Sequence, residues 1–455
     1  MAGARTRTAR LALVALICAG SAALSAAQEV GSQQAPTGRR LSDQLLKTYL
    51  SNPQLSAWAD EYVARCGAIA RKFVVGRAGS GAEIVGVEIS DRPGAAEPEP
   101  SFKYVANMHG DETSGRMLLP MLAEWLCANN GKDPRATRLV RDAHLFLVPT
   151  MNPDGFAARW RGNKNGVDLN RNFPDAFVNR NWDLRQPLPN SQPETAAVMA
   201  WSLAHNFAAS ANMHEGAVVT NYPFDSYSDP RQRSGPNAAP EDATFRFLSH
   251  TYANKHAFMA RSQEFPGGIT NGADWYEIHG GMQDWNYLAA GTMELTLELS
   301  QDKYPAASRL PALWEENRDA LLALAATAAL GGVRGNVTAG GAPVAATLYV
   351  KPPSGYPGKP VPFYADKDFG FYARPLPPGR HTIVASAPGF EPAEAELSVP
   401  SDGSGAVANI ALKRARAAKR GGERPAAAAA AVAAATPLAV LAAVPARAVA
   451  VSAGA

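Results

Sequence analysis

His109 and Glu112 stand three residues apart in Asn107-Met108-His109-Gly110-Asp111-Glu112, directly after an apolar stretch that reads as a strand. An imidazole nitrogen and a carboxylate oxygen at that spacing can both reach one zinc ion from a strand-to-helix turn. The pair alone is a weak signal, since most His-x-x-Glu pairs are ordinary surface residues. It needs a third ligand at the end of another strand, and residues 209–213 run as a strand into His214. Three protein ligands with one coordination position left open is the arrangement of a catalytic zinc site. Taken by itself, His214 reads better as an ordinary loop histidine or a satisfied core histidine.

The elements needed to position these residues are legible nearby. Apolar, β-branched stretches at 72–75, 84–89, 104–108, 145–148 and 209–213 read as strands, with helical patterns at 115–128, 193–206 and 310–329. Strands alternating with helices predict an α/β domain with a mostly buried sheet. Ser42 is placed to cap a helix carrying Leu45, Leu46, Tyr49 and Leu50. After Gly331-Gly332 the period shortens. Strands at 345–350, 370–373, 381–385 and 395–399, separated by Pro/Gly turns, predict a small β-sandwich.

The 455-residue chain is 46% hydrophobic and 19% charged, a globular composition that excludes a largely disordered chain. Arg5, Arg7 and Arg10, the apolar run 11–19 and Ser25-Ala26-Ala27 read as a secretory signal peptide over residues 1–27. Residues 28–41 are a loose polar segment. The segment 413–455 is basic and then Ala-rich, and is expected to be a disordered tail. Setting aside the leader's three arginines and the tail's six net positive charges turns the formal +3 into −6 for residues 28–412. A slightly acidic body offers no basic face for nucleic acid. No membrane anchor is expected; only the tail could supply one, and Pro437, Pro445 and Arg447 interrupt it. Cys18 leaves with the leader, so Cys66 and Cys127 remain. In an oxidising compartment, two survivors point to one disulfide, or else to two separate buried thiols.

Several blocks occur in order along the chain. They are Asn152-Pro153-Asp154-Gly155, Asp168-Leu169-Asn170-Arg171-Asn172-Phe173-Pro174-Asp175, and Asn221-Tyr222-Pro223-Phe224-Asp225. Gly268-Ile269-Thr270-Asn271-Gly272, Gly280-Gly281-Met282-Gln283-Asp284-Trp285-Asn286-Tyr287 and Glu294-Leu295-Thr296-Leu297-Glu298-Leu299-Ser300 follow. With these blocks the chain resembles the zinc metallocarboxypeptidases of the regulatory N/E subfamily, which includes carboxypeptidases N, M, E and D. The resemblance covers roughly residues 42–412. It implies a mixed β-sheet flanked by helices (the carboxypeptidase fold) over residues 42–330, followed by an all-β transthyretin-like sandwich over residues 331–412.

The resemblance also implies roles. His109, Glu112 and His214 would bind one Zn2+ per chain, with Asp168 accepting the other imidazole N–H of His109. Glu298 would be the general base, a role that spacing alone does not separate from Glu294. Arg161 would stabilise the oxyanion. Arg171, Asn170 and Tyr276 would hold a C-terminal carboxylate. Asp225 would pair with a Lys or Arg side chain, with the neutral Gln283 at the floor of that pocket. Cys66 and Cys127 match bridged positions. The implied protein is a secreted, monomeric exopeptidase that releases C-terminal Lys or Arg from peptides and proteins. It would be made in active form, because about forty residues before the core are too few for a folded inhibitory prodomain. One departure stands out: Glu215 follows His214 where the subfamily has glycine, and is expected to narrow a neighbouring subsite. Two alternatives are a catalytically silent peptide-binding relative and a zinc amidohydrolase acting on small acylated amino acids. The first should lack a ligand or the base, and the second has no need of the Asn170, Arg171, Tyr276 and Asp225 set.

Overall fold

The structure, a computed structural model, describes residues 41–415 apart from 228, 230, 233 and 357. The expected leader, and the tail from residue 416 onward, lie outside the described residues. Among the described residues no helix is long and apolar enough to cross a membrane.

The central strands are buried on both faces, and the polar side chains they carry inward, such as Lys103, Ser210 and Glu294, are hydrogen-bonded there. Eight strands form one mixed sheet: β1 (Ala70–Arg77), β2 (Glu83–Ile89), β3 (Ser101–Ala106), β4 (His144–Val148), β5 (Phe207–His214), β6 (Ala217–Tyr222), β7 (Ile269–Asn271) and β8 (Met293–Ser300), in the order β1-β2-β4-β3-β5-β8-β6-β7. Strands β4, β3, β5 and β8 run parallel, and β1, β2 and β6 pair antiparallel around them. Every residue of β4 and β5 is buried. Alternation sends Leu145 and Leu147 into one apolar cluster and Phe146 and Val148 into the cluster on the other face. The helix Leu310–Leu330 covers the first face, and the Tyr104 hydroxyl donates to its Leu321 carbonyl at 2.8 Å.

The parallel strands present their carboxyl ends at one edge, the usual place for a ligand site in such sheets. In register, Ala106 lies beside Met213, and His214 beside Glu298. The helix Ser114–Asn129 starts at that edge, pressed against the strands. A Cβ on its Gly115 would lie 2.8 Å from the Met213 Cβ and 2.9 Å from the Ala106 Cβ, so only glycine permits this approach.

The first long helix differs from expectation. Residues 41–44 form only a 3₁₀ turn, and the helix Asn52–Cys66 begins instead at Ser51. Ser51 and Gln54 make a capping box, with Pro53 in the first turn, and this terminus outcompetes a Ser42 cap. The Cys66–Cys127 disulfide closes a separation of 61 residues and ties this helix to Ser114–Asn129, behind the Glu112 turn. In the chain-entropy account a loop of that length contributes about 4 kcal/mol.

Residues beyond Val333 form additional all-β structure. Val333–Ala339 pairs antiparallel with Phe371–Arg374 and parallel with Ala406–Val407 and Ile410–Ala411. Thr347–Val350, Gly379–Ser386 and Ala393–Val399 form another sheet, and a separate apolar cluster fills the region. Strand pairing runs through Lys413–Arg414, two residues into the expected tail. Arg374 ties this region to the segments that precede the helix Asp242–Lys255 and strand β8. Its side chain is fully buried, donates to Glu241 Oε1 at 2.9 Å and to the Gly291 carbonyl at 2.5 Å, and also meets Glu241 Oε2. Glu241 in turn accepts from the Tyr287 hydroxyl at 3.1 Å. Arg374→Ala would strand the Glu241 carboxylate in the interior, and we expect it to cost about 3–5 kcal/mol. A denaturant midpoint that gives a loss below about 1 kcal/mol would contradict this.

Candidate active site

Strand β3 ends in an unusual turn. Asn107 is buried with φ +56°, a conformation that Asn tolerates better than most residues. Its side-chain amide donates to the carbonyls of His109 (2.9 Å), Gly110 (3.3 Å) and Glu112 (2.8 Å), while its oxygen accepts from the Thr150 hydroxyl at 2.8 Å. Asn107 therefore fixes the loop that carries both residues of the His-x-x-Glu pair.

That loop brings the predicted triad together. His109 Nδ1 lies 3.0 Å from Glu112 Oε2, His214 Nδ1 lies 2.9 Å from the same oxygen, and the two imidazole nitrogens are 3.1 Å apart. All three side chains are buried. His109 Nε2 donates to Asp168 Oδ1 at 2.9 Å, which leaves its Nδ1 as a lone pair aimed inward. Burial keeps the His214 imidazole neutral by lowering its pKa. Lone pairs crowded to about 3 Å repel unless a cation lies between them. Two ligands sharing one tetrahedral zinc with bonds of about 2.0–2.1 Å stand roughly 3.3 Å apart. The donor set fits zinc.

Around the triad, the Arg161 guanidinium is held by Asp168 Oδ2 (Nε at 3.0 Å) and donates to Glu112 Oε1 at 3.2 Å. Burial would raise the Asp168 carboxyl, but the His109 N–H hydrogen bond and the Arg161 charge keep it ionised far below its ordinary range. Lys303, which sequence reasoning missed, donates to Glu112 Oε1 at 2.8 Å. Glu298 lines the cleft, and its Oε2 has no hydrogen-bond partner among the described residues. Burial and the Glu112 charge push its carboxyl up to about 8, and a divalent cation at the triad would draw it down again. Glu294, four residues earlier, is elsewhere: it accepts from Ser210 (2.6 Å), Asn212 (2.9 Å) and Asn286 (2.7 Å) in the core. The chain separates the two glutamates that spacing left ambiguous.

Glu215 is turned away from the role expected of it. Its Oε1 accepts from the Ser114 N–H at 2.5 Å, and the side chain caps the helix Ser114–Asn129 although the residue borders the cleft. Oε1 is engaged at the helix start, while Oε2 is buried beside the cleft with no hydrogen-bond partner among the described residues.

The cleft has a volume of about 170 Å³ and is also lined by Asn170, Arg171, Asn221, Asp225, Gly272 and Tyr276. Asn170 Oδ1 accepts from the Met282 N–H at 2.9 Å. Arg171 is exposed and donates to the Asn170 carbonyl at 2.9 Å, and Tyr276, half-exposed, stands at the rim. Asp225 is buried, and its Oδ1 accepts from Asn221 at 2.9 Å and from Gln283 at 3.0 Å. Gln283 thus supports Asp225 from behind and does not line the cleft. A Cβ on Gly272 would come within 1.9 Å of Asp225 Oδ1, so glycine is required beside the carboxylate. Burial pushes the Asp225 carboxyl up to about 6, and pushes neighbouring Asp284, which accepts the Asp225 N–H at 2.9 Å, well above its ordinary value. Asn221 and Asp284 sit inside the blocks quoted above, but their residue types gave no role.

Comparison with known proteins identifies the family. Residues 55–320 match the zinc carboxypeptidase family. The chain is 44% identical over 363 residues to carboxypeptidase SOL1 of Arabidopsis thaliana, covering 79% of this chain and 71% of that protein. It is 41% identical over 372 residues to carboxypeptidase D of Homo sapiens, covering 77% of this chain and 25% of that one. The chain therefore spans about a quarter of the length of carboxypeptidase D. The fold is shared with thrombin activatable fibrinolysis inhibitor (TM-score 0.53, 18% identity, 64% of this chain and 77% of that one). This chain belongs to the zinc carboxypeptidase family. It is a metallocarboxypeptidase, a zinc-dependent hydrolase acting at the C-terminal end of peptides.

Proposed function

We propose that this enzyme releases C-terminal Lys or Arg from peptides and proteins, using one zinc ion held by His109, Glu112 and His214. The observation that carries the specificity is Asp225, a buried carboxylate held by Asn221 and Gln283 in a cleft that Gly272 keeps open. A cationic side chain would satisfy that carboxylate, whereas an aliphatic one would leave it desolvated and unpaired. When bound, zinc supplies polarisation of the scissile carbonyl and a nucleophile at neutral pH.

The chain's own groups do the rest. Arg171 and Asn170 bind the terminal carboxylate, and Tyr276 closes over it from the rim. Arg161, oriented by Asp168, faces the developing oxyanion. Glu298 takes the proton from the attacking water and delivers it to the leaving amine. Residues 42–330 would form the catalytic domain and residues 331–412 a transthyretin-like sandwich, in a monomer. The disulfide and the leader-like residues 1–27 favour a secreted enzyme or one of the secretory pathway. A silent binding relative would have no use for Glu298 beside a complete ligand triad.

Peptides ending in Arg, Lys, Leu and Phe, assayed with and without chelator, test the reading. We expect Arg and Lys to be favoured by at least about 100-fold, activity to disappear on chelation, and zinc to restore it. Equal rates for all four termini would refute the specificity, and activity insensitive to chelation would refute the metal.

A further inference from the structure

A second convergence of metal-ligating groups lies at the opposite edge of the sheet. His144 opens β4, and the segment 90–100 that leads into β3 folds over it, with the His144 N–H donating to the Pro100 carbonyl at 3.0 Å. His144 Nδ1 lies 2.9 Å from Glu88 Oε1. Glu88 is otherwise occupied: it accepts from Arg71 Nη2 at 2.7 Å and from the Gly94 N–H at 2.9 Å. It is an acceptor toward His144, so Nδ1 carries a proton, and Nε2 carries the lone pair when the imidazole is neutral. That lone pair faces Glu97 Oε2 at 3.5 Å and Glu99 Oε2 at 3.9 Å.

None of these three atoms has a hydrogen-bond partner among the described residues. The side chains of His144, Glu97 and Glu99 are 6%, 4% and 22% exposed, so water does not readily compensate them. These three atoms need a positive charge among them in a dry pocket, which either a second proton on the imidazole or a bound cation supplies. The charges agree. Glu88, Glu97 and Glu99 outnumber Arg71 and Arg92, and Arg92 pairs with Glu97 through Oε1, leaving Oε2 free. In Glu97-Pro98-Glu99-Pro100 the chain bends at Pro98 and Glu99, and both carboxylates come to the His144 imidazole.

We propose that His144 Nε2, Glu97 Oε2 and Glu99 Oε2 form a second site for a divalent cation of the zinc class. Glu88 fixes the imidazole tautomer there as Asp168 does for His109, which is the usual outer arrangement of a metal-bound histidine. An imidazole with two carboxylates suits Zn2+ or Co2+ and is a poor match for the all-oxygen shells of Ca2+. The bound ion pins segment 90–100 to the sheet at the edge remote from the cleft.

The full chain, equilibrated with Zn2+ and freed of excess ion by gel filtration, is expected to carry two zinc equivalents by atomic absorption. The double variant Glu97→Gln/Glu99→Gln is expected to carry one, with kcat/KM unchanged and a lower Tm that added Zn2+ no longer raises. A wild-type protein that saturates at one equivalent, with the variant also at one, overturns the proposal. So does a variant that retains both equivalents. In those outcomes a proton on His144 Nε2 takes the cation's place.

Discussion

Glu298→Gln is expected to yield a folded protein that still binds its zinc but hydrolyses peptides about 10²–10⁴-fold more slowly. Glutamine keeps the shape of the side chain and cannot accept a proton. The ligand atoms converge without Glu298, whose own Oε2 is unpartnered at the cleft wall, so its loss should leave metal content unchanged. Measuring zinc content beside kcat/KM separates the two effects. A variant within about tenfold of wild type would unseat Glu298 as the base. Glu294→Gln serves as the contrast: it places an amide against the donors from Ser210, Asn212 and Asn286. It should cost about 1–3 kcal/mol in stability and leave the activity of the folded fraction largely intact.

Asp225→Asn is expected to lower the preference for Arg over Leu by about 100-fold, equivalent to roughly 3 kcal/mol. The loss should fall on the cationic substrate, whose kcat/KM drops, while Leu-ended peptides are turned over as before or faster. The same carboxyl gives the wild-type enzyme a pH signature. Burial raises Asp225 to about 6, so it is charged above that pH and neutral below it. The ratio of kcat/KM for Arg over Leu should therefore fall as pH drops through about 6. Taking the ratio cancels titrations of the triad that affect both substrates alike. A ratio constant from pH 7.5 to about 5 would remove Asp225 from the recognition of the side chain.

The sequence carried the centre of the fold and of the site because those parts obey strong local rules. Strands β3, β4 and β5 contain short β-prone stretches bounded by turn residues, and His109, Glu112 and His214 are types whose chemistry narrows their role. Ser51 was harder to read, since a capping box competes with the plausible Ser42, and only packing and Pro53 decide between them. Lys303 and Asn107 were missed for different reasons. A lone lysine after a strand looks like solvent-facing charge, and an asparagine in a left-handed turn reveals its value only when its amide meets three carbonyls. Glu215 was legible as a departure but not in direction, because a helix terminus brought up from a hundred residues away takes its carboxylate.

His214 and Glu298 are register partners on adjacent parallel strands in the interior of the sheet. Their separation is consequently a property of the backbone ladder, set by a spacing of about 4.8 Å that surface segments do not govern. Residues contacting the terminal side chain arrive from connections outside that ladder. Selectivity can then drift through changes in those connections while the distance between acid–base group and electrophile stays constant, so variants recovered for new termini should cluster around Asp225 and spare β5 and β8.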